Sequence, residues 1–312
     1  MTALRFEGRV AIVTGAGGGL GREHALLLAS RGAKVVVNDI GGSVTGDGRD
    51  TGPAEAVARE IRDHGGEAVA DTHSVATPEG GEAIVGTALK TYGQVDILVN
   101  NAGILRDTLF EDLTPELLDP VIDVHLLGAF HMTRPAWHVM REQGYGRIVN
   151  TTSAAGILGT ARKSNYGAAK AGLIGLTRVL AQEGAEHDIK VNAIAPIAAT
   201  RMLTHSMTEP LEPAAQAMMN AVTSKLDPAL VSPVVVFLAH EDCPVTGEIY
   251  TAGAGQVARF FTARTQGYHH PALSIEDVRD HLAEIRDETG YTVPASPGEE
   301  IAELLRAIAA KS

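Results

Sequence analysis

Runs of branched aliphatic residues alternate with helical spacings from residue 10 onward. Val10–Val13 reads as a strand ending at Thr14-Gly15, and residues 19–31 follow as a helix with Leu20, His24, Leu27 and Leu28 on one side. The pairing recurs: a strand over Val35–Val37 closing at Asn38-Asp39, a helix over 54–63, a strand over Glu67–Ala70, a helix over 80–91, a strand over Val95–Val99. A long helix over 115–142, a strand over Ile148–Thr151, a helix over 165–185 and a strand over Val191–Ala195 come next. A helix over Val234–His240 and a short strand over Glu248–Thr251 close the series. The strands are continuous apolar runs, as expected where both faces are buried. The pattern predicts an α/β fold: a Rossmann-type doubly wound parallel sheet in a single domain spanning residues 1–265.

Residues 266–312 break the rhythm. After His270-Pro271, charged helical patterns at 274–288 and 297–311 flank Tyr291-Thr292-Val293-Pro294. This predicts a C-terminal extension packed on the domain or on a partner subunit.

Composition excludes several functions. Lys and Arg number 26 against 38 Asp and Glu, a net charge of −12, which argues against nucleic-acid binding. The one cysteine, Cys243, leaves no intrachain disulfide and no multi-cysteine metal site, so no metal is expected. Aromatics are 4% and glycines number 34, so the core is Ala/Val/Ile/Leu with many tight turns. No window reaches the ~18 apolar residues of a membrane span. Met1–Arg9 lacks a secretory pattern, and Ala309-Ala310-Lys311-Ser312 is not a Ser-Lys-Leu end. The expected location is the cytoplasm.

Thr14-Gly15-Ala16-Gly17-Gly18-Gly19-Leu20-Gly21-Arg22 joins the first strand to the first helix. Glycines there allow a tight turn and let a pyrophosphate reach bare N–H groups at the helix start. Alone, such a cluster is also what a flexible loop looks like. Asp39 ends the second strand, 24 residues after Gly15. A carboxylate at that place accepts the adenine-ribose hydroxyls and repels a 2′-phosphate; with no Arg or Lys beside it, NAD is favoured over NADP. Tyr166 and Lys170 lie four apart, on one helix face. An ammonium beside a phenol lowers a pKa that starts near ~10 and suits the phenol for proton exchange. Ser153 is placed to bind the same substrate oxygen.

The spacing Gly15-x-x-x-Gly19-x-Gly21 resembles the classical short-chain dehydrogenase/reductase family. So do Asn100-Asn101-Ala102-Gly103, Ser153, Tyr166-Gly167-Ala168-Ala169-Lys170 and Pro196, in order across residues 8 to about 255. The resemblance implies an oxidoreductase with Ser153, Tyr166 and Lys170 as catalytic residues. It implies cofactor contacts from Gly15, Gly19, Leu20, Gly21, Asp39, Asn101, Ala102, Gly103, Tyr166 and Lys170. Carried over by position, Ser74 and Val75 line the adenine pocket, and Pro196 and Ile197 lie against the nicotinamide. Three positions depart from the family. Ser74 stands where Asp is usual, no glycine follows Pro196, and Thr200 comes one residue early for its phosphate role. His125 replaces the asparagine whose backbone holds a relay water; it either keeps that role or is a buried histidine bonded to a neighbour.

Within the family, Asn38-Asp39-Ile40-Gly41-Gly42 with its long polar loop, Ile104-Leu105-Arg106-Asp107, Val124-His125-Leu126, Tyr145-Gly146-Arg147-Ile148 and Gly253-Ala254-Gly255 narrow the likeness. Together they are similar to the (3R)-hydroxyacyl-CoA dehydrogenase branch, the region of peroxisomal multifunctional enzyme type 2 also called 17β-hydroxysteroid dehydrogenase type 4. The implied substrates are a (3R)-3-hydroxyacyl-CoA or a 17β-hydroxysteroid. Alternatives are a 3-oxoacyl reductase, another secondary-alcohol dehydrogenase, or a catalytically silent nucleotide sensor. Met202, Leu203, Met207, Leu211, Met218 and Met219 suggest an apolar lid, with ordinary helix packing as the other reading. Arg106, Arg162, Lys163 and Arg201 are candidates for the phosphates of an acyl-CoA. The helix over 165–185 is small or apolar nearly all round, which predicts a homodimer or tetramer through it and the helix over 115–142. Gly172 and Gly175 are expected to admit close approach of the second copy.

Overall fold

The structure, a computed structural model, describes residues 3–202 and 223–309. The chain divides into two units, Met1–Arg259 and Phe260–Ser312.

The first unit is built on strands β1 (Val10–Thr14), β2 (Lys34–Asn38), β3 (Glu67–Asp71), β4 (Ile97–Asn100), β5 (Gly146–Thr151), β6 (Ile189–Pro196), β7 (Ile249–Gly253) and β8 (Gln256–Phe260). Their order in the sheet is β3-β2-β1-β4-β5-β6-β7-β8, with β1 through β7 parallel. The chain winds outward one way from β1 to β3, then crosses back to β4 and winds the other way. Strand ends therefore diverge between β1 and β4 and open a crevice at their C-terminal edge, where ligands of such sheets bind.

Helices α1 (Gly19–Ser30), α2 (Gly52–Asp63), α3 (Pro78–Tyr92), α4 (Pro115–Ile122), α5 (Gly128–Gln143), α6 (Ala154–Leu158), α7 (Ser164–Glu183) and α8 (Ser232–Leu238) surround the sheet. Alternate residues of β1 feed two cores. Ala11 and Val13 pack with Leu28, Ile61 and Val235 of α1, α2 and α8. Val10 and Ile12 pack with Ile84, Met132 and Met140 of α3 and α5. A file of buried polar side chains crosses the centre. Asn100 Nδ2 donates to Asn150 Oδ1 at 2.9 Å and to Thr133 Oγ1 at 3.2 Å, and Asn150 Nδ2 donates to Thr177 Oγ1 at 2.9 Å. Asn100 and Asn150 are register partners on β4 and β5.

The long helix expected over 115–142 is broken by a wide π-type turn, Asp123–Leu127. Prolines leave backbone carbonyls open on both sides of the break. Pro120 supplies no N–H to Glu116 O, and the Arg106 guanidinium donates there instead, at 2.6 Å. Pro135 leaves His131 O open, and Gly81 of α3 packs onto it so closely that a Cβ would sit 2.3 Å away. Among the described residues, one α-helical turn and one strand fall outside the expected series. The single turn α6 is capped by Ser153, whose Oγ accepts from Ala155 N–H. Strand β8 follows β7 through Ala254-Gly255, both at positive φ (50° and 79°); alanine is not a usual residue there, and β8 carries no buried apolar run to mark it.

In the second unit, Ser274 and Asp277 form a capping box at the start of a helix over Ile275–Asp280. A short turn, Leu282–Ile285, and a helix over Pro297–Ala309 follow, so the helix expected over 274–288 is two pieces. Tyr268 stacks on His281 with ring centroids 3.9 Å apart. Among the described residues of this unit, none is buried. Among the described residues of the whole chain, no helix is long and apolar enough to cross a membrane.

Candidate active site

The glycine loop is fastened to the end of β4 before any ligand is considered. Thr14 Oγ1 accepts from Asn101 N–H at 3.0 Å and Ala102 N–H at 3.1 Å, while Asn101 Nδ2 donates to Thr14 O at 2.9 Å and Gly15 O at 3.2 Å. Gly15 has φ +65°, and a Cβ there would lie 2.8 Å from Ala102 Cα. At Gly21 a Cβ would meet Gly15 O at 2.3 Å. These two glycines serve the loop's own packing. Gly18 and Gly19 differ: a Cβ on either would come no nearer to anything than 3.8 Å, the distance to the Thr200 methyl. They leave bare backbone at the start of α1, a fit for a dinucleotide pyrophosphate.

This backbone forms one wall of a cleft of about 400 Å³. Gly15, Gly19, Leu20, Asp39, Ser74, Val75, Asn101, Ala102, Gly103 and Thr200, all expected cofactor contacts, line it. Gly21, Tyr166, Lys170, Pro196 and Ile197 are not among its walls. Pro196 ends β6, and the Ile197 N–H donates to Ala252 O at 2.8 Å. Asp39 is held in place by the loop, Oδ2 accepting from Gly17 N–H at 2.9 Å and Oδ1 from Gly41 N–H at 2.7 Å. The loop after Asp39 forms the outer wall and brings Arg49 to it. The sequence has no cation beside Asp39, but the folded loop brings one, Arg49, to the same cleft. A second cavity, of about 670 Å³ between α1, the end of α2 and the start of α8, is walled by residues such as Leu26, Glu60 and His64 and contains none of the candidate site residues.

Ser153, Tyr166 and Lys170 come together beside the cleft. The Tyr166 phenol lies within reach of the Ser153 hydroxyl. Lys170 is buried on the next turn of α7, its Nζ 5.5 Å from the centre of the Tyr166 ring. Nζ donates to Thr151 O at 2.5 Å, and Thr152 Oγ1 donates to Lys170 O at 2.6 Å, so the end of β5 fixes the lysine at both its head and its backbone. The phenol's acidity runs against expectation. Burial raises the Tyr166 pKa, the Ser153 hydroxyl opposes this, and the Asp107 charge adds to it. Burial likewise pushes the Lys170 amine down to about 7. Loss of water on burial sets the direction of both shifts.

His125 sits on the π-type turn with its ring edge-on to Tyr166, centroids 5.0 Å apart at 88°. Its Nε2 lies 2.7 Å from Ile104 O and 3.0 Å from Ile104 N, so either tautomer finds a partner. Burial, and then the Lys170 charge, hold its pKa well below the usual histidine value, leaving it neutral. Gly103 makes room for it: a Cβ at 103 would strike His125 Cε1 at 2.3 Å. Ile104 also lines the cleft, so His125 links the cleft wall to Tyr166.

Residues that spacing alone did not single out hold this arrangement. Asn165, buried just before Tyr166, donates from Nδ2 to Arg106 O at 2.9 Å and Leu117 O at 2.8 Å, and its Oδ1 accepts the Tyr166 N–H at 2.7 Å. Lys163 pairs with Asp107. Its place next to Tyr166 was Asn165's only signal in the sequence. Of the four cations considered for acyl-CoA phosphates, Arg106 and Lys163 are engaged within the chain, while Arg162 and Arg201 are exposed. Of the lid candidates, Met202 lines the cleft; Leu203, Met207, Leu211, Met218 and Met219 lie outside the described residues.

A nucleotide cleft at the switch point of a doubly wound sheet, with a Ser-Tyr-Lys cluster at its end, defines a pyridine-nucleotide oxidoreductase. The family model described as short chain dehydrogenase matches residues 9–211, and the chain belongs to that family. Peroxisomal multifunctional enzyme A of Dictyostelium discoideum is 44% identical over 99% of this chain and 67% of its own length. A short-chain type dehydrogenase/reductase of Mycobacterium tuberculosis is 47% identical over 92% of this chain and 97% of its own. The solved full-length peroxisomal multifunctional enzyme type 2 of Drosophila melanogaster superposes with a TM-score of 0.79 at 38% identity, over 97% of this chain and 50% of that one.

Proposed function

We propose that the protein is an NAD-dependent dehydrogenase that interconverts a secondary alcohol and its ketone, acting on a (3R)-3-hydroxyacyl-CoA or a 17β-hydroxysteroid. One observation carries the reading. The Ser153–Tyr166 pair, with Lys170 beside it, lies next to the cleft and is tied to its wall through His125 and Ile104.

Gly18 and Gly19 would hold the pyrophosphate, Asp39 the adenine ribose, and Ser74, Val75 and Asn101 the adenosine surroundings. Pro196, Ile197, Thr200 and Lys170 would serve the nicotinamide end. A bound nicotinamide supplies the hydride acceptor in oxidation and the donor in reduction. Ser153 Oγ orients the substrate oxygen. The Tyr166 phenolate oxygen takes the hydroxyl proton as the hydride leaves the same carbon, and the phenol returns it in the reverse direction. A charged Lys170 offsets the phenolate, and neutral His125 fixes the ring edge. The substrate class is supported by the multifunctional-enzyme relatives and by Arg162 and Arg201, exposed cations near these elements. Family membership together with all three catalytic side chains stands against a silent nucleotide sensor.

Assembly is part of the same proposal. Leu127 at the end of the π-type turn, Phe130 on α5 and Val179 on α7 are exposed, along with Ala168, Ala171 and Gly175. These would pair with a second copy in a dimer or tetramer. The cytoplasmic location expected from the sequence belongs to the same proposal, although several relatives carry peroxisomal names.

Turnover is measured on a (3R)-hydroxyacyl-CoA, its (3S) isomer and a 17β-hydroxysteroid, each with NAD and NADP. We expect activity on the (3R) thioester or the steroid, and Tyr166→Phe lowers it by about 10²–10⁴-fold with NAD binding nearly intact. Wild-type turnover in the Phe variant overturns the mechanism. Arg49 at the cleft favours a second reading, an NADP-dependent 3-oxoacyl reductase. NAD preference in the wild type, shifted toward NADP by Asp39→Ala with Ile40→Arg, supports the first; NADP preference in the wild type supports the second.

A further inference from the structure

Arg106 lies between the two halves of the site and touches both. Its Nε donates to Thr45 O at 3.0 Å, and a second guanidinium nitrogen lies 3.6 Å from Asp47 Oδ1, both on the loop that walls the cleft. A third nitrogen satisfies Glu116 O, the carbonyl left open by Pro120. Its own carbonyl accepts from Asn165 Nδ2, and Asn165 Oδ1 in turn caps the Tyr166 N–H. The neighbouring backbone repeats the link, Thr108 N–H donating to Arg162 O at 2.9 Å.

We propose that Arg106 and Asn165 are positioning residues that couple the loop over the cleft to Tyr166, so that ordering the loop around a dinucleotide also sets the tyrosine for proton transfer. The inference rests on the reading of the site given above. Its physical basis is the division of labour within each side chain. The planar guanidinium spans three acceptors from two segments, which a lysine point charge cannot do. The Asn165 amide uses both its donor and its acceptor ends, so neither segment moves without leaving a buried polar group unpaired. A path of this kind is a claim about energy, which a double-mutant cycle measures.

The test compares Arg106→Ala, Asn165→Ala and the double variant, reading dinucleotide Kd by titration and kcat at saturating cofactor and substrate. Coupling predicts effects at the far end of each. Arg106→Ala, remote from the reacting atoms, lowers kcat by about ten- to a hundredfold as well as weakening dinucleotide binding. Asn165→Ala, which does not itself line the cleft, weakens dinucleotide binding as well as lowering kcat. The double variant is little worse than the poorer single. A purely structural role shows instead as a reduced fraction of binding-competent protein with unchanged constants in that fraction, and overturns the proposal. So do effects confined to each residue's own end that multiply in the double variant. Arg106→Lys and Asn165→Asp provide the same cycle if an alanine variant fails to fold, since each keeps size and polarity while losing the bridging donors. A wild type without any nicotinamide-dependent activity overturns the reading of the site itself; an active wild type with independent variants overturns the coupling alone.

Discussion

At the scale of single residues, Lys170 carries a cost that depends on pH. Its amine is held at about 7 against an ordinary 10.5. Below the lower value both folded and unfolded chains carry the proton, and the fold bears the full cost of a buried charge. Between the two values the unfolded chain binds more protons, so the lysine's unfavourable contribution shrinks as pH rises. The raised Tyr166 pKa acts only above the ordinary tyrosine range and leaves this window clear. We therefore expect the cofactor-free wild type to gain Tm relative to Lys170→Met between pH ~7 and pH ~9.5. Thermal melts of both proteins check this, and a flat difference contradicts it. Tyr166, Lys170 and Ser153 were legible in the sequence because their spacing is local. The direction of the tyrosine shift was not, because spacing reports that two groups meet and says nothing of how much water they lose. Asn165 stayed hidden, and Arg106 was read only as a candidate for acyl-CoA phosphates, for a related reason: their partners are backbone carbonyls of distant segments, which no side-chain pattern announces.

At the scale of elements, strand–helix alternation foretold the sheet from β1 to β7, because buried strands need continuous apolar runs. The helix over 115–142 was misread as continuous. Its apolar spacing persists through the break, and the carbonyl that Pro120 leaves open just before it is taken by Arg106, arriving from outside the helix. Helix α7 shows the same limit. Both Gly172 and Gly175 were expected to face a second copy, but a Cβ on Gly172 would lie 2.9 Å from Leu126 of the same chain, while Gly175 has nothing within 4 Å. The two glycines should therefore separate by experiment. Gly172→Glu presses a carboxylate onto Leu126 and should cost about 1–3 kcal/mol of stability in denaturant titration. Gly175→Glu should leave protomer stability within about 0.5 kcal/mol and shift light scattering from oligomer to monomer. An unaltered oligomer in the Gly175 variant would move the interface elsewhere.

For the whole molecule, the two units differ in how they can be stable. Residues 260–312 include no buried side chain among those described, and a piece of that size without a core falls below what ~25 cal/mol per Å² of burial can offset. The peptide 260–312 alone should give a coil-like circular dichroism spectrum despite its capping box; a cooperative helical melt would refute this. The first unit has the opposite character, and the buried file of Asn100, Asn150, Thr133 and Thr177 gives it a further property. Side chains alternate across a strand, so sliding β5 by one position against β4 carries the Asn150 amide to the other side of the sheet. That single slip would strip the partners from Asn100 and Thr177 together, in an interior where unpaired amides are expensive. Apolar strands rich in valine and isoleucine are nearly interchangeable in their neighbours' eyes and tolerate many offsets. The amide file makes one alignment far better than the rest, acting as a key cut into otherwise uniform strands while the sheet is still assembling.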